Sequence, residues 1–353
     1  MQAASLPAPI LSVRNLTTVF RTEAGVFPAV DDLSFDVAPG EALGIVGESG
    51  SGKSVTALSI MGLLPDPPGR IASGSIRFDG QELVGMSQRS LRGLRGAAIG
   101  MIFQEPMTSL NPVFSIGNQI IETIRTHEHV SEKAARARAI ELLARVGIAT
   151  PERRLAQYPH QFSGGMRQRV MISIALACSP RLLIADEPTT ALDVTIQAQL
   201  LDLLAGLRRE TGMAMLLITH NMGVIAEFAD RVLVMYAGRV AEQGPVDAIF
   251  ETPRHPYTQG LLASTPNLLH DAPRLAVIPG QLPALTAPPP GCRFAPRCGL
   301  RITACDNARP PLEGVGPLQT AACIRAVEPA AAHSGFITGD KHDPVRHEPV
   351  EGL

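Results

Sequence analysis

The segment GESGSGKS, residues 47–54, combines glycines, hydroxyl side chains and a lysine in the spacing G-x-x-x-x-G-K-[ST]. It follows the apolar run ALGIV and precedes the helical pattern VTALSIMGLL, which is the strand–loop–helix context of a phosphate loop. Glycines let backbone N–H groups curl around phosphate oxygens, and the helix N-terminus adds its positive dipole. We expect Lys53 to reach the outer phosphates and Ser54 to bind Mg²⁺. The predicted phosphate-binding residues are Gly47, Glu48, Ser49, Gly50, Ser51, Gly52, Lys53 and Ser54.

A second apolar run, RLLIADEP, ends in two adjacent carboxylates, Asp186 and Glu187. In an open α/β sheet the chemistry lies at the carboxyl ends of the strands, where these two acids can take different roles. Asp186 is predicted to hold Mg²⁺, directly or through water, and Glu187 to polarise the attacking water as general base. Without the phosphate loop, a solvated pair of acids at a strand end would be the better interpretation.

Two further apolar runs end in a polar residue that suits phosphate chemistry. IGMIFQ ends at Gln104, whose neutral amide can orient water and Mg²⁺. MLLITH ends at His220, which can bridge the terminal phosphate and the catalytic carboxylate, although a lone histidine is more often structural. Four strand ends with complementary side chains predict one nucleotide site, with Glu187, Gln104 and His220 as its catalytic residues and Ser54, Gln104 and Asp186 as its Mg²⁺ ligands.

The segment QFSGGMRQRVMISIALAC places Ser163, Gly164 and Gly165 directly before a strongly helical run. Glycines at the start of a helix expose N–H donors to an anion. A serine N-cap followed by glycines in the turn is the simpler structural interpretation. The segment lies about 110 residues after the phosphate loop, so it can serve a nucleotide other than the one that its own loop binds.

Four of the five cysteines, Cys292, Cys298, Cys305 and Cys323, lie in a Pro-rich C-terminal stretch with the spacing C-x5-C-x6-C-x17-C. The count suits a tetrathiolate metal site, although the spacing lacks the CxxC pairs of most zinc ribbons and matches neither common ferredoxin pattern. Cysteines that fill a short core are the alternative. We predict a metal site, because so few large apolar residues can bury little, with an iron–sulfur cluster favoured over zinc. Cys178, at the end of an apolar helix, is assigned to the core.

The elements that must position these residues follow from the apolar pattern. Residues 10 to about 40 alternate apolar and polar, which predicts an antiparallel β piece. From residue 41 to about 244, short apolar runs alternate with helical stretches, as in a parallel α/β sheet. A helical insert at about 106–178 has Ser131 as a predicted N-cap and Gly147 near a helix stop. We expect a nucleotide-binding domain over 1–265, a C-terminal domain with the four cysteines over 266–330, and a disordered tail over 331–353.

The composition excludes several classes of protein. With 353 residues, 45% hydrophobic and 18% charged, the chain is an ordinary soluble sequence with room for two domains. A net charge of −2, 4% aromatic residues and no tryptophan give no support to a nucleic-acid partner. No apolar run approaches the ~20 residues that span a bilayer, and the N-terminus lacks a signal-peptide pattern. We therefore expect a cytoplasmic protein, in which a cysteine cluster indicates metal before disulfides.

These residues together resemble the ATP-binding subunits of ABC transporters. The matching motifs are the Walker A loop GESGSGKS, the Q-loop glutamine Gln104, the signature FSGGM from Phe162, the Walker B LLIADE from Leu182, the D-loop TALD ending at Asp193, and the switch histidine His220. They occur in the expected order over residues 10 to about 250. The family's signature reads LSGGQ, so Phe162 and Met166 depart from it, whereas Ser163, Gly164 and Gly165 are retained. The resemblance implies an α/β P-loop NTPase fold with an N-terminal antiparallel β subdomain, a helical subdomain and a small cysteine-containing C-terminal region.

The resemblance also implies a mechanism. Two such subunits meet head to tail and enclose two ATP molecules, each held between the Walker A loop of one subunit and the signature of the other. ATP closes the pair, and hydrolysis to ADP and phosphate followed by product release reopens it. The helical subdomain transmits the motion to membrane subunits. An aromatic residue of the N-terminal β piece usually stacks on adenine; Phe20 is the candidate and Phe27 the alternative.

Three further segments, FQEPMTSLNP, HPYTQGLLASTP and PGQLPALTAPPPGCRFAPRC, resemble the oligopeptide/dipeptide (and nickel) importer branch. That branch implies import of peptides or related small solutes, two transmembrane permeases, an extracytoplasmic solute-binding protein, and a second ATPase subunit that is homologous or identical. It also implies a peripheral position on the cytoplasmic face of the inner membrane. The alternative is a soluble, non-transport ABC ATPase acting on ribosomes or DNA, but the two cassettes, coiled-coil insertion and basic surface typical of those proteins are not found. A metal-binding module with a vestigial ATPase is disfavoured by the intact Lys53, Asp186, Glu187 and His220.

Overall fold

The computed structural model describes residues 8–23, 25–105, 109–190, 193–265 and 277–326. Strands and helices are numbered separately in chain order. The strands are β1 (Leu11–Thr22), β2 (Gly25–Val37), β3 (Ala42–Val46), β4 (Gly69–Phe78), β5 (Gln81–Glu82), β6 (Ile99–Ile102), β7 (Leu182–Asp186), β8 (Ala214–Thr219), β9 (Arg231–Tyr236), β10 (Arg239–Pro245), β11 (Glu313–Gly316) and β12 (Gln319–Ala321).

The helices surround two sheets. They are α1 (Lys53–Met61), α2 (Gln88–Leu94), α3 (Ile116–His127), α4 (Glu132–Arg145), α5 (Pro151–Arg154), α6 (Gly164–Ala175), α7 (Val194–Thr211), α8 (Met222–Phe228), α9 (Val246–Glu251), α10 (Pro256–Ala263) and α11 (Ala304–Asn307). Short 3₁₀ turns cover Pro159–Gln161 and Ala295–Arg297.

The predicted antiparallel β piece over residues 10 to about 40 is confirmed as the pair β1 and β2. Strands β4 and β5, which lie in the stretch assigned to the parallel α/β sheet, also join this sheet, whose order is β2-β1-β4-β5. In β1 the residues Leu11, Val13 and Leu16 are fully buried, because side chains that point to one face of this strand meet the core. The outer ends of β1 and β2 pair Phe20 with Phe27 across the hairpin. This sheet packs against α1, so it lies beside the helix that the phosphate loop starts.

The larger sheet has eight strands in the order β11-β12-β10-β9-β3-β8-β7-β6. The five strands β9, β3, β8, β7 and β6 run parallel, which confirms the predicted α/β sheet. Strands β3, β7 and β8 are buried on both faces, and this is why they appear in the sequence as continuous apolar runs. The carboxyl ends of β3, β8, β7 and β6 consequently lie side by side at one edge of the sheet.

Helices α3 to α6 form the insert between β6 and β7. Ser131 caps α4 as predicted, its side chain accepting the N–H of the residue three positions on, and Gly147 takes a positive φ of 77° just after the helix ends. Ile116, Ile120 and Ile124 recur every four residues on one buried face of α3, which packs on α4. Residues 106–108, at the predicted start of the insert, lie outside the described residues.

The C-terminal region continues the large sheet. Strand β12 pairs with β10, and β11 pairs with β12. Phe294 is buried, and its ring lies 5.2 Å from that of Tyr236 and 5.4 Å from that of Tyr257. The sequence argument that this stretch can bury little overlooked Phe294 and its two tyrosine partners, which upstream elements supply. The domain limits near residue 265 and the tail over 331–353 stay predictions, since residues 266–276 and 327–353 lie outside the described part of the chain.

Candidate active site

The phosphate loop leaves β3 and enters α1 at Lys53, as predicted. A side chain at Gly47 would lie 2.2 Å from the carbonyl oxygen of Met235, so the loop accommodates only glycine there. Gly52 begins α1 with a φ of 101°, which again suits glycine. The Lys53 ammonium donates hydrogen bonds to the carbonyl oxygens of Gly47 at 2.7 Å and Glu48 at 3.0 Å, and thereby closes the loop on itself. The other predicted phosphate-binding residues, Ser49, Gly50, Ser51 and Ser54, lie in the same loop or in the first turn of α1.

Two of the three predicted Mg²⁺ ligands, Ser54 and Asp186, are in contact, although 132 positions separate them. The third, Gln104, hydrogen-bonds to Glu187. The Ser54 hydroxyl donates to Oδ1 of Asp186 at 3.0 Å. Burial raises the pKa of Asp186, and the Ser54 hydrogen bond and the Lys53 charge oppose that rise. Both groups offer oxygen atoms, which are the ligands that Mg²⁺ prefers, so this pair fits the ion.

The Lys53 ammonium is itself buried. Burial lowers its pKa, and the carboxylates of Glu187, Asp186 and Glu48 oppose that fall. The site thus holds one buried cation among three carboxylates. The phosphates of a bound triphosphate would pair with the Lys53 ammonium, and the accompanying divalent cation would pair with the carboxylates.

Glu187 lies at the centre of the three predicted catalytic residues. Its Oε2 accepts a hydrogen bond from Nε2 of Gln104 at 3.1 Å, and its Oε1 lies 3.3 Å from Nδ1 of His220. The Thr190 hydroxyl donates to Oε2 at 2.8 Å. Glu187 has a φ of 47°, uncommon for a residue other than glycine, and its N–H donates to the carbonyl of Ile218 on β8 at 2.8 Å. The backbone therefore turns at the strand end and presents the carboxylate to both partners.

The parallel sheet explains how residues so far apart in sequence come together. Gln104 follows β6, Glu187 follows β7, His220 follows β8 and Lys53 follows the loop after β3. These four strands are neighbours in the sheet and point the same way. The prediction that four apolar runs form strands of one sheet and end in these polar residues is therefore confirmed.

The predicted signature residues begin α6. Ser163 caps this helix, its hydroxyl accepting the N–H of Met166 at 3.4 Å, as the simpler interpretation of the segment requires. A side chain at Gly164 would meet no atom within 4 Å, so the start of α6 faces open space. A side chain at Gly165 would meet Ile196 of α7 at 3.1 Å, so the signature helix lies close to α7.

The sequence reasoning missed Gln168, which is buried in α6 and joins the signature helix to the catalytic loop. Its side-chain amide donates to the carbonyl oxygen of Pro188, one residue after Glu187, at 2.7 Å. In the sequence Gln168 stands between Arg167 and Arg169, so no local pattern marked it as buried. Asp193, the last residue of the D-loop motif, caps α7 by accepting the N–H of Ile196 at 2.9 Å. The two residues before it, 191 and 192, lie outside the described part.

The two candidates for stacking on adenine face each other near the turn of the β1–β2 hairpin; they are Phe20 and Phe27. Their ring centroids are 6.3 Å apart and their planes differ by 21°. Phe20 also packs against Gly69, where an added side-chain carbon would lie 2.9 Å from its ring. Both rings are partly exposed, so the choice between Phe20 and Phe27 stays a prediction.

The structure does not form a metal site at the cysteines. All four predicted ligands, Cys292, Cys298, Cys305 and Cys323, line one small cavity of about 20 Å³, which holds no more than a single water molecule. Burial raises the pKa of Cys298 and of Cys323 to about 11. Among the described residues, no group of three or more His, Cys, Asp or Glu side chains could hold a metal ion. The cysteines converge as a metal site requires, but the iron–sulfur or zinc prediction gains no support from this geometry.

The C-terminal region also supports the phosphate loop, which sequence reasoning missed. The Tyr257 hydroxyl accepts the N–H of Glu48 at 2.9 Å, and Arg297 forms an ion pair with the Glu48 carboxylate at 2.8 Å. Tyr257 stands in a segment that the sequence analysis used only to identify the importer branch, and Arg297 stands in the segment that also supplies Cys292 and Cys298. In the described part of the chain, no helix is long and apolar enough to cross a membrane.

Two known protein families match this chain, each over a different stretch. The family described as ABC transporter matches residues 30–190, and the family described as oligopeptide/dipeptide transporter, C-terminal region, matches residues 241–305. A Brucella melitensis protein that carries the name peptide import ATP-binding protein is 54% identical over 334 residues, covering 92% of this chain and 99% of that protein. A Brucella abortus protein with the same description is 53% identical over 303 residues, covering 86% of this chain and 91% of its own length.

Solved structures agree with this placement. The ATP-binding cassette MJ0796, in a dimeric post-hydrolysis state bound to ADP and Pi, superposes with a TM-score of 0.61 at 27% identity, over 67% of this chain and 98% of its own. The cbiO1 protein from Clostridium perfringens, part of the ABC transporter complex cbiONQ, gives a TM-score of 0.58 at 29% identity, over 69% of this chain and 91% of its own. The predicted fold, an α/β P-loop NTPase of the ABC type, is confirmed. The chain belongs to the ATP-hydrolysing subunits of ABC transporters, in the branch that carries the oligopeptide/dipeptide transporter C-terminal region.

Proposed function

We propose that this chain binds MgATP at the edge formed by β3, β8, β7 and β6, and that its hydrolysis energises import of peptides or related small solutes. The observation that carries the proposal is the arrangement around Glu187, whose carboxylate touches both Gln104 and His220. The names of the relatives, which describe peptide import, support the substrate class. The pairing of Ser54 with Asp186 supports the place of the metal ion.

The chain's own residues divide the hydrolytic step among them. Backbone N–H groups of the phosphate loop and the Lys53 ammonium bind the phosphates, while Ser54 and Asp186 would hold Mg²⁺, which neutralises phosphate charge. Glu187 accepts a proton from water as the water oxygen forms a bond to the terminal phosphorus, and the bond to the ADP oxygen breaks. His220 and Gln104 keep the Glu187 carboxylate oriented toward the water. The products are ADP and phosphate.

We propose that two ATPase subunits act together, each completing the other's site. Ser163, Gly164 and Gly165 begin α6, and the helix faces open space at Gly164, so the N–H groups of this helix start can meet the terminal phosphate bound by a second subunit. The dimeric state of the MJ0796 structures supports this arrangement. Whether the second subunit is identical or homologous is decided by mixing differently tagged chains and recording which pairs close with ATP.

The surface beside Gln104 supports contact with membrane permeases. A groove of about 400 Å³ separates the parallel sheet from α3 and α6, and Phe103 lies at its rim, about one third exposed. Val113 and Phe114, before α3, are also exposed. A permease segment with an apolar side chain fits such a groove. We therefore propose a peripheral position on the cytoplasmic face of the inner membrane, with two permeases and an extracytoplasmic solute-binding protein as further partners.

We propose a separate test for the predicted metal site at the four cysteines. The convergence of four thiols on one cavity supports it, and the small cavity volume opposes it. Anaerobic purification followed by metal analysis decides between the alternatives. Iron and sulfide with absorbance near about 400 nm support a cluster, stoichiometric zinc supports the second prediction, and a folded, metal-free protein removes both.

The test of the main proposal is peptide-stimulated ATP hydrolysis in a reconstituted complex. The chain is produced with the permeases, binding protein and second ATPase proposed as its partners, placed in vesicles, and supplied with peptides. We expect Lys53→Ala to abolish both hydrolysis and uptake. A chain that hydrolyses ATP alone at the same rate, and that associates with ribosomes or DNA, supports the soluble non-transport alternative instead.

A further inference from the structure

The Arg297 side chain, from the C-terminal region, lies against the phosphate loop. One guanidinium nitrogen donates to Oε2 of Glu48 at 2.8 Å and also lies 3.3 Å from the Tyr236 hydroxyl. The other donors reach the carbonyl oxygens of Pro279 at 2.8 Å and Ile278 at 3.3 Å. The Arg297 side chain is 6% exposed, so its position is fixed by these partners and not by solvent.

The backbone of Glu48 is held by a second residue from outside the loop. Its N–H donates to the Tyr257 hydroxyl at 2.9 Å, and Tyr257 is completely buried. The Tyr257 ring lies 4.6 Å from that of Tyr236, which also stacks beneath the Arg297 guanidinium at 5.8 Å. One loop residue, Glu48, is thus held through its backbone and its side chain by a single buried aromatic cluster.

The identity of Glu48 explains why such a clamp matters. Its carbonyl oxygen accepts a hydrogen bond from Lys53 at 3.0 Å, so it stands within the loop that is to surround the phosphates. A carboxylate in that loop repels a triphosphate unless a cation neutralises it. Arg297 supplies that cation, and its side chain is largely buried. A hydrogen bond between charged groups is about twice as strong as one between neutral groups.

We propose that Arg297 is a positioning residue of the ATP site: it neutralises Glu48 and fixes the phosphate loop, so that the C-terminal region sets the affinity for nucleotide. The inference rests on the proposed nucleotide site. It gives the C-terminal region a role in ATP binding that does not depend on any metal at the cysteines. Arg297 touches no nucleotide itself and acts only through Glu48.

The test is a double-mutant cycle on the full-length chain, with a fluorescent ATP analogue as the probe and thermal melting as the measure of folding. Arg297→Gln should weaken binding about tenfold, because the Glu48 carboxylate is left uncompensated. Glu48→Gln alone should change the affinity less than about threefold. The double variant should bind like Glu48→Gln, since removing the carboxylate removes the need for the arginine. Where Arg297→Gln does not fold, Arg297→Lys, which keeps the charge and loses the planar fork, should weaken binding about threefold.

Two controls separate the possible failures. Arg181→Gln removes an exposed arginine paired with Asp79 and should leave the affinity unchanged. Lys53→Ala should abolish binding, and retained binding there would overturn the proposed nucleotide site itself. With Lys53→Ala behaving as expected, unchanged affinity in Arg297→Gln overturns the present inference. An equal loss of affinity with and without Glu48→Gln overturns it too, because the arginine would then serve folding alone.

Discussion

Nε2 of Gln104 lies 3.1 Å from Oε2 of Glu187, and this hydrogen bond joins the ends of two neighbouring strands, β6 and β7. Gln104 also lies two residues before position 106, where the predicted helical insert begins. Any displacement of the insert that pulls on Gln104 must therefore stretch or break its bond to the general base. The geometry connects the part of the chain proposed to meet the permeases with the group proposed to activate water.

Replacement of Glu187 by Gln should stop turnover while leaving ATP binding intact. The amide keeps the size of the side chain but cannot accept the proton from water, so hydrolysis should fall by about 10²–10⁴-fold. Phosphate release by the reconstituted complex measures the rate, and size-exclusion chromatography with ATP should show the closed dimer accumulating. Glu210→Gln, at an exposed ion pair with Arg145, is the matched control. Undiminished hydrolysis would assign the base to another residue.

Replacement of Gln168 by Ala should reduce both stability and turnover. The buried carbonyl of Pro188 loses its donor, at a cost of about 1–3 kcal/mol in the free energy of unfolding. Since Pro188 follows Glu187, the catalytic carboxylate should also lose its fixed position. Urea unfolding and steady-state kinetics measure the two effects. Gln199→Ala removes an exposed glutamine bonded to Arg169 and should change neither quantity. A variant with lower stability and normal kcat would limit Gln168 to a structural role.

The adenine contact is tested by comparing Phe20→Ala with Phe27→Ala. Loss of an aromatic stacking partner should weaken ATP binding by about tenfold for the residue that touches the base, and inorganic triphosphate binding should not change. The predicted residue is Phe20. Equilibrium titration with both ligands separates a contact to adenine from a general disturbance of the hairpin, because the two rings face each other. A loss confined to Phe27→Ala would reverse the assignment.

The buried His255 should make the protein less stable below neutral pH. Burial lowers its pKa from 6.5 to about 4, so the unfolded chain binds a proton at a higher pH than the folded chain does. Stability from this group is complete above about pH 6.5 and is lost as the pH falls toward 4. Between pH 7.5 and 5 the loss should be about 2 kcal/mol.

Urea unfolding of the native protein and of His255→Asn at both pH values measures that loss. The nearby Glu242, whose pKa is raised by burial, contributes with the opposite sign and is common to both proteins. The pH dependence should be smaller in His255→Asn and unchanged in His160→Gln, which alters an exposed histidine. An equal change in the free energy of unfolding between the two pH values in all three proteins would show that His255 does not titrate in this range.

Much of the nucleotide site follows from the sequence because parallel strands obey a simple rule. A continuous apolar run buried on both faces must end at the sheet edge, so the polar residue after it joins its neighbours there. Gln104, Glu187 and His220 could be assigned in this way, and so could Ser131 as a helix cap. Gln168 could not, because its single hydrogen bond depends on how α6 meets the loop at Pro188.

The C-terminal region was harder to predict because its partners lie far away in the chain. Arg297 meets Glu48 across 249 positions, and Arg293 reaches Asp31 across 262. No local pattern encodes such pairs. The four cysteines stand out because cysteine is rare in this chain. Arg293 and Arg297 lie between them and hold the region against the N-terminal sheet and the phosphate loop, but arginine is common along the chain.

The pairing of β12 with β10 protects the protein against aggregation through the edge of its large sheet. A chain cut near residue 265 would keep every nucleotide motif but would leave one side of β10 without its β12 partner, where Glu242 pairs with Ala321. Strand edges with unpaired N–H and C=O groups recruit other chains and promote aggregation. With β12 and β11 in place, the sheet ends instead at β11, and a short edge strand offers few unpaired groups to other chains. The C-terminal strands thereby replace a seven-residue edge with a four-residue one.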